Sequence, residues 1–228
     1  MKNIVILDCG PSLSEVTAQF GSAPEWIISV FGKTSHNYKW IKSYAGETIA
    51  PNEGDAWIVT GSPRSVYDEL DWMQHLENNI RALQKMEVPV LGICFGHQLI
   101  AKSLGGEVKL NPEGWELGVS HIQLTENGIK SKILSGIINN DIVYQSHRDC
   151  ITNLPNGAIE LAYNNKGIQA FAINEYIYGV QFHPEFSWEI IKQYVSIRRA
   201  LGIVVNKLTE PIPNAGQVVL HNFIELIE

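Results

Sequence analysis

Short, continuous apolar runs bounded by turn residues recur along the chain. Residues 4–7, 57–60, 88–94 and 177–182 are each such a run, with the length and β-branched content of strands buried on both faces. Between the second and third runs the period changes. Over residues 71–86 the apolar positions Trp72, Leu76, Ile80 and Leu83 step by four, four and three, which predicts a helix with one buried stripe. Asp68 or Asp71 is placed to cap this helix, and Val88-Pro89 closes it before the next strand. Strand, helix, strand in this order is the crossover unit of a parallel sheet.

The second half is patterned differently. Residues 119–124, 142–145, 159–163 and 168–173 are short apolar runs separated by Asn, Gly and Pro. They predict a β-rich segment with a hairpin turn at 164–167. Helical patterning returns over 188–200, and the tail 214–228 predicts a last amphipathic helix. There is no internal repeat and no low-complexity linker. The expected fold is α/β: an open, mostly parallel sheet flanked by helices, with a β-rich segment in the second half. The expected organisation is one domain over 1–228, with a catalytic core of about 1–200 and a C-terminal extension of about 201–228.

Composition narrows the function. A chain of 228 residues that is 45% hydrophobic can bury one substantial core. The 18% charged residues form no long run of either sign, unlike a disordered tail. A net charge of −7 disfavours nucleic acid as a partner and suits solubility. The apolar start meets Asp8 too soon for a signal peptide, and no apolar stretch reaches the roughly 18–20 residues of a membrane span. The expectation is a cytoplasmic protein without a membrane segment. Cys9, Cys94 and Cys150 are widely spaced and supply neither a metal pairing nor a disulfide framework. In a reducing compartment, a cysteine in a special setting is read as a reactive group.

Cys94 has that setting. Gly92-Ile93-Cys94-Phe95-Gly96 leads from an apolar strand into a helical stretch that stops at Gly105-Gly106. Glycines two residues before and after a nucleophile mark a strained strand-to-helix elbow. The helix N-terminus there turns unpaired N–H groups and a positive dipole end toward the sulfur. The Phe95 N–H points at the same spot and suits an oxyanion. The bland alternative is a small apolar residue buried at a strand end, and for Cys9 and Cys150, which lack glycine flanks, it is preferred. For Cys94 the downstream segment Gln181-Phe182-His183-Pro184-Glu185 decides. In extended chain, His183 and Glu185 lie on one side, so Glu185 can orient one ring nitrogen while the other faces Cys94.

These residues resemble the class I glutamine amidotransferases, with their Gly-x-Cys-x-Gly elbow and distal His-Pro-Glu. The resemblance runs from about Ile4 to Glu185. It takes in Asp8 and Gly10 after the first strand, and Thr60-Gly61-Ser62-Pro63 where the family has Gly-Gly-Pro. It implies that the backbone amides of Ser62 and Phe95 form the oxyanion hole, and that Gly61, Gln98, Ser146, His147, Arg148 and Asp149 bind substrate. Ser62 and Arg148 each replace a glycine of the family pattern. Ser65-Val66-Tyr67-Asp68 is closest to the glutaminase half of GMP synthetase. Residues 114–118, Gly-Trp-Glu-Leu-Gly, are closer to stand-alone members, including γ-glutamyl peptide hydrolases.

The resemblance implies an enzyme that hydrolyses the side-chain amide of glutamine through a Cys94–His183–Glu185 triad and a γ-glutamyl thioester, releasing ammonia. The alternatives are a γ-glutamyl peptide hydrolase and a non-catalytic regulatory subunit that kept the fold. No cofactor and no metal is called for, since Cys94, His97 and His183 have no standard zinc spacing. An α/β-hydrolase is disfavoured, because its acid normally precedes and stands far from its histidine. The chain has no phosphate-binding loop of the Gly-rich Lys-Ser/Thr type. The ammonia acceptor is therefore expected on a synthetase partner. A homodimer through the tail after Ala200 is compatible with the sequence.

Overall fold

The computed structural model describes residues 1–205, 208 and 210–228. The first half alternates β1 (Asn3–Asp8), α1 (Ser14–Phe20), α2 (Ala23–Phe31), β2 (Asn37–Lys42), β3 (Ala56–Val59), α3 (Asp71–Lys85), β4 (Val90–Ile93) and α4 (Phe95–Ser103). The second half has β5 (Glu107–Leu110), β6 (Glu116–His121), β7 (Gln123–Leu124), α5 (Glu126–Lys130), β8 (Ile142–His147) and β9 (Asp149–Asn153). After these come β10 (Ala158–Asn164), β11 (Gly167–Ile173), β12 (Ile177–Val180), α6 (Trp188–Ala200) and α7 (Val218–Ile227).

Eight strands form one mixed sheet in the order β2-β1-β3-β4-β12-β11-β10-β7. The five from β2 to β12 are parallel, and β11, β10 and β7 add antiparallel pairings at one edge. Two antiparallel ribbons, β5–β9 and β6–β8, stand apart from it. This is the expected α/β architecture with a β-rich second half, including the hairpin between β10 and β11.

The two faces of the sheet are covered differently. On one face α3 and α4 bury Leu76, Ile80, Leu83, Leu99 and Ile100 against Val5, Leu7, Trp57, Val59 and Val90. On the other, α2 and α7 bury Ile27, Phe31, Val219, Leu220 and Phe223 against Ile4, Ile6, Ile58 and Leu91. Strands buried on both faces need apolar residues at every position, which is why their sequences read as continuous runs. A third cluster joins α6 to the β6–β8 ribbon through Leu117, Tyr144, Ile190, Ile191 and Val195.

Four local expectations change. Leu70, not Asp68 or Asp71, is the N-cap of α3, and no side chain caps it; Asp71 lies in the first turn, where its charge still complements the dipole. The buried stripe of α3 starts from Met73, with Trp72 only partly buried. The run 119–124 splits at Ile122, because β6 pairs with β8 in a ribbon while β7 joins β10 in the main sheet. The run 177–182 is strand only to Val180.

The tail is core rather than appendage. Phe223 is fully buried and packs among the sheet-facing residues of α2 and β1. Replacing it with alanine is expected to destabilise the protein by about 3–5 kcal/mol, measured as a lowered midpoint of urea unfolding.

Candidate active site

The centre of the site is the junction of β4 and α4. Cys94 lies between them with φ 52° and ψ −101°, a conformation that L-residues rarely adopt. Two backbone hydrogen bonds hold it there: its N–H donates to the Val180 carbonyl at 2.9 Å, and its carbonyl accepts from the Gln98 N–H at 3.1 Å. The elbow also needs close packing. A Cβ on Gly96 would stand 2.1 Å from the Val59 carbonyl oxygen, and one on Gly92 would stand 2.5 Å from the Gly96 backbone. Both glycines are therefore needed for contact between helix and strands, and neither has a positive φ.

The second contribution comes from just beyond β12. Residues 181–185 are not strand, so the side-by-side placement of His183 and Glu185 does not come from extended geometry as anticipated. It comes from a turn, in which the Phe186 N–H reaches the His183 carbonyl at 3.4 Å. The pairing itself forms: His183 Nδ1 is 2.7 Å from Glu185 Oε1. The His183 N–H donates to the Tyr144 carbonyl at 2.8 Å, and its ring stacks on Phe186 at a centroid distance of 4.0 Å. Among the described residues the other ring nitrogen, Nε2, is buried without a hydrogen-bond partner. Gly61 sits against both His183 and Cys94: a Cβ built on it would lie 3.1 Å from His183 Cε1 and 3.8 Å from Cys94 Cβ. Burial alone would lower the His183 pKa, but the Glu185 carboxylate and the sulfur of Cys94 push it up to about 10.

The cleft around Cys94 has two halves that share Ser62, Pro63, Cys94, Ser146 and Arg198. Gly61, His183 and Glu185 line one half, and Phe95, Gln98, His147, Arg148 and Asp149 line the other. Cys94, His183, Glu185, Gly61, Ser62, Phe95, Gln98 and residues 146–149 thus border one cleft, though not all face it in the same way. Gln98 Nε2 donates to the Asp149 carbonyl at 3.0 Å and to Gln181 Oε1 at 2.9 Å. That uses both its donors and leaves its carbonyl oxygen for a ligand. Both ring nitrogens of His147 are engaged, Nε2 with Glu116 at 2.8 Å and Nδ1 with the Asp149 carbonyl at 3.0 Å. The Asp149 carboxylate accepts from Ser65 Oγ at 2.5 Å and from the Tyr67 hydroxyl at 2.9 Å. His147 and Asp149 therefore shape the loop rather than present free polar atoms. The Arg148 side chain is half exposed, 3.9 Å from Asp149 Oδ1.

The remaining candidates stay out of the cleft. Cys9 and Cys150 are buried, and burial pushes both thiols up. His97 is fully buried against the Phe171 ring, and burial lowers its pKa to about 3. Among the described residues, no group of three or more His, Cys, Asp or Glu side chains is placed to hold a metal ion, and no helix is long and apolar enough to cross a membrane.

Comparison with known proteins fits this geometry. The family described as glutamine amidotransferase class-I matches residues 6–197, and the chain belongs to that family. It is 24% identical to γ-glutamyl peptidase 2 of Arabidopsis thaliana, over 92% of this chain and 86% of the relative. It is 32% identical to a glutamine-hydrolysing GMP synthase of Prochlorococcus marinus, over 95% of this chain but only 40% of that enzyme. The fold is shared with a glutamine amidotransferase of Thermotoga maritima, with a TM-score of 0.74 at 19% identity, covering 98% of this chain and 90% of that one.

Sequence reasoning missed several supporting residues. Asn214, in the tail, donates from Nδ2 to the carbonyls of His183 at 2.9 Å and Phe186 at 3.3 Å, fixing the turn that carries the histidine. Trp26, Tyr194 and Arg198 line the His183 half of the cleft. Trp26 lies on α2, whose start is marked by Ser22-x-x-Glu25 with Pro24, a capping-box signature available in the sequence.

The raised pKa of His183 can be tested directly. Its folded value lies above the unfolded one, so the protonated ring stabilises the fold fully below about 6.5, and this contribution is lost as pH rises through about 10. An NMR titration is expected to place the His183 midpoint near 10 and to show it falling in Glu185→Gln.

Proposed function

We propose that this protein hydrolyses γ-glutamyl amide bonds, with glutamine the simplest substrate, through Cys94, His183 and Glu185. The observation that carries this is the unpartnered, buried Nε2 of His183 beside a cysteine at a strained elbow, with the opposite ring nitrogen held by Glu185. The Cys94 sulfur attacks the amide carbon and forms a C–S bond. The negative charge that develops on the carbonyl oxygen is met by the N–H groups of Ser62 and Phe95, each donor being worth roughly 2.7–4 kcal/mol. Protonated His183 gives its proton to the departing nitrogen as the C–N bond breaks, leaving a γ-glutamyl thioester. Water then attacks, His183 takes its proton, and the C–S bond breaks to restore Cys94 and release glutamate. Glu185 keeps the imidazole oriented and stabilises its charged form.

In the other half of the cleft, Gln98 Oε1 accepts from the α-ammonium group of the glutamyl moiety, and the Ser146–Asp149 backbone holds its carboxylate. Arg148 adds a charge at the rim where the family has glycine. The GMP synthase relative motivates a synthetase partner as the acceptor of ammonia. A second reading, hydrolysis of γ-glutamyl peptides, is favoured by the room beyond His183. There Trp26, Phe186 and Tyr194 wall a space larger than a departing ammonia needs.

Cys94→Ser is expected to lower ammonia release from glutamine, and amine release from γ-glutamyl dipeptides, by at least about a thousandfold without lowering the melting temperature. Acid-quenched wild type should carry a γ-glutamyl adduct on the Cys94 peptide by mass spectrometry. Wild-type turnover by Cys94→Ser would reject the assignment, and no turnover of any γ-glutamyl amide by the native protein would favour a regulatory subunit.

A further inference from the structure

Arg198 is not accounted for by the triad or by the glutamyl-binding loop. It lies in the last turn of α6, one turn after Tyr194, and borders both halves of the cleft. A cation at a helix C-terminus ordinarily complements the dipole. In this turn Arg199 has that position, donating to the Val205 carbonyl. The Arg198 guanidinium lies over the ring of Trp115, a residue of the Gln98 half of the cleft, 4.9 Å from its centroid, a contact that holds it where the two halves meet. Among the described residues its Nε is buried without a hydrogen-bond partner, and no carboxylate lies within 4.0 Å of it. A buried charged donor without an acceptor is costly, which marks a place where an acceptor is expected from outside the chain.

The surroundings indicate which acceptor. The half of the cleft that holds His183 is walled by aromatic rings, Trp26 edge-to-face with Phe186 at 5.6 Å and Phe186 stacked on Tyr194 at 5.0 Å. Among the described residues Arg198 is the only lysine or arginine that lines it, and Glu185, the one carboxylate, pairs with His183. The half that holds Gln98 has two further arginines at its border, Arg64 and Arg148. Glutamine has a single carboxylate, which belongs to the glutamyl half, and its leaving group is ammonia. A partly aromatic half-cleft bordered by a guanidinium offers more than a departing ammonia needs. It suits an α-amino acid or peptide, whose own carboxylate lies a few bonds from the scissile nitrogen and matches the bidentate fork of arginine.

We propose that Arg198 is the receptor for the carboxylate on the amine side of the scissile bond, so that the substrates are γ-glutamyl amides of amino acids or short peptides. This rests on Cys94 being the nucleophile for γ-glutamyl amides, but it is tested by binding. In Cys94→Ser protein, γ-glutamyl-alanine is expected to bind at least about tenfold more tightly than its C-terminal amide by calorimetry. Adding Arg198→Ala should bring the ratio to about one, and Arg198→Lys should leave it intermediate. Equal affinity for acid and amide, binding of neither, or a preference that survives Arg198→Ala would overturn the proposal. The acid–amide comparison with Arg198 intact keeps the test decisive if Arg198→Ala fails to fold. Loss of the broader reading is seen separately, as absence of both ammonia and alanine release by native protein.

Discussion

The backbone of Cys94 is held where an L-residue pays roughly 1–3 kcal/mol to stay, and much of the surrounding structure serves to keep it there. Its amide is tied to the end of β12 and its carbonyl to the first turn of α4. α4 approaches β3 and β4 closely enough only because Gly92 and Gly96 have no side chains. The result lifts the sulfur off the end of a central parallel strand, at the start of a helix. That is the crevice beyond the carboxyl ends of the strands where open α/β sheets hold ligands. The same hydrogen bond to Val180 links Cys94 to the strand that leads to His183 three residues later. Cys94 and His183 are thus registered by neighbouring strands of one sheet.

The cleft is supported from below by buried polar groups that satisfy one another. Asp149 joins the 65–68 segment through Ser65 and Tyr67, His147 joins Glu116, and Glu116 also accepts from Asn164 at 2.6 Å and Gln169 at 3.1 Å. Burial works against the Glu116 carboxylate, yet the hydrogen bond and charge of His147 hold it below the usual carboxylate range. Buried polar systems of this kind cost little when complete and much when one member is removed. They fix the loop geometry through side chains that are already hydrogen-bonded within the protein. That explains how a glycine position of the family can carry Arg148 here: the loop is held by its buried flanks, and the substituted side chain extends toward solvent.

What could be read from the sequence was local. The β3–α3–β4–α4 unit, the elbow at Cys94 and the pairing of His183 with Glu185 each rest on residues close in sequence, and each formed. The reason offered for the last was wrong in detail, since Pro184 shapes a turn rather than an extended strand. The missing parts depend on distance along the chain. Asn214 reaches back 31 residues to His183, and Glu116 meets His147 across a ribbon whose register no single segment reveals. α1 and α2 span seven and nine residues, too short for a period to stand out. The strand β2 exposes most of its side chains at the sheet edge, so it has no apolar run.

The tail connects these observations. Between α6 and α7 the chain returns to the site, where Asn214 clamps the His183 turn from outside and the Tyr144 hydroxyl donates to the Ile212 carbonyl. α7 then closes one face of the sheet beneath it. α6, which starts just after Glu185, runs along the cleft wall and presents Tyr194 and Arg198 in successive turns. The turn that carries His183 is therefore gripped on both sides by elements that follow it in sequence. One of them walls the cleft beside His183 and the other fixes the turn itself. On the proposed mechanism, Cys94, His183 and Glu185 act on the bond that is broken and these downstream elements border what stands on its far side, so differences in substrate between members built on this elbow are expected to map to α6 and the segment that carries Asn214.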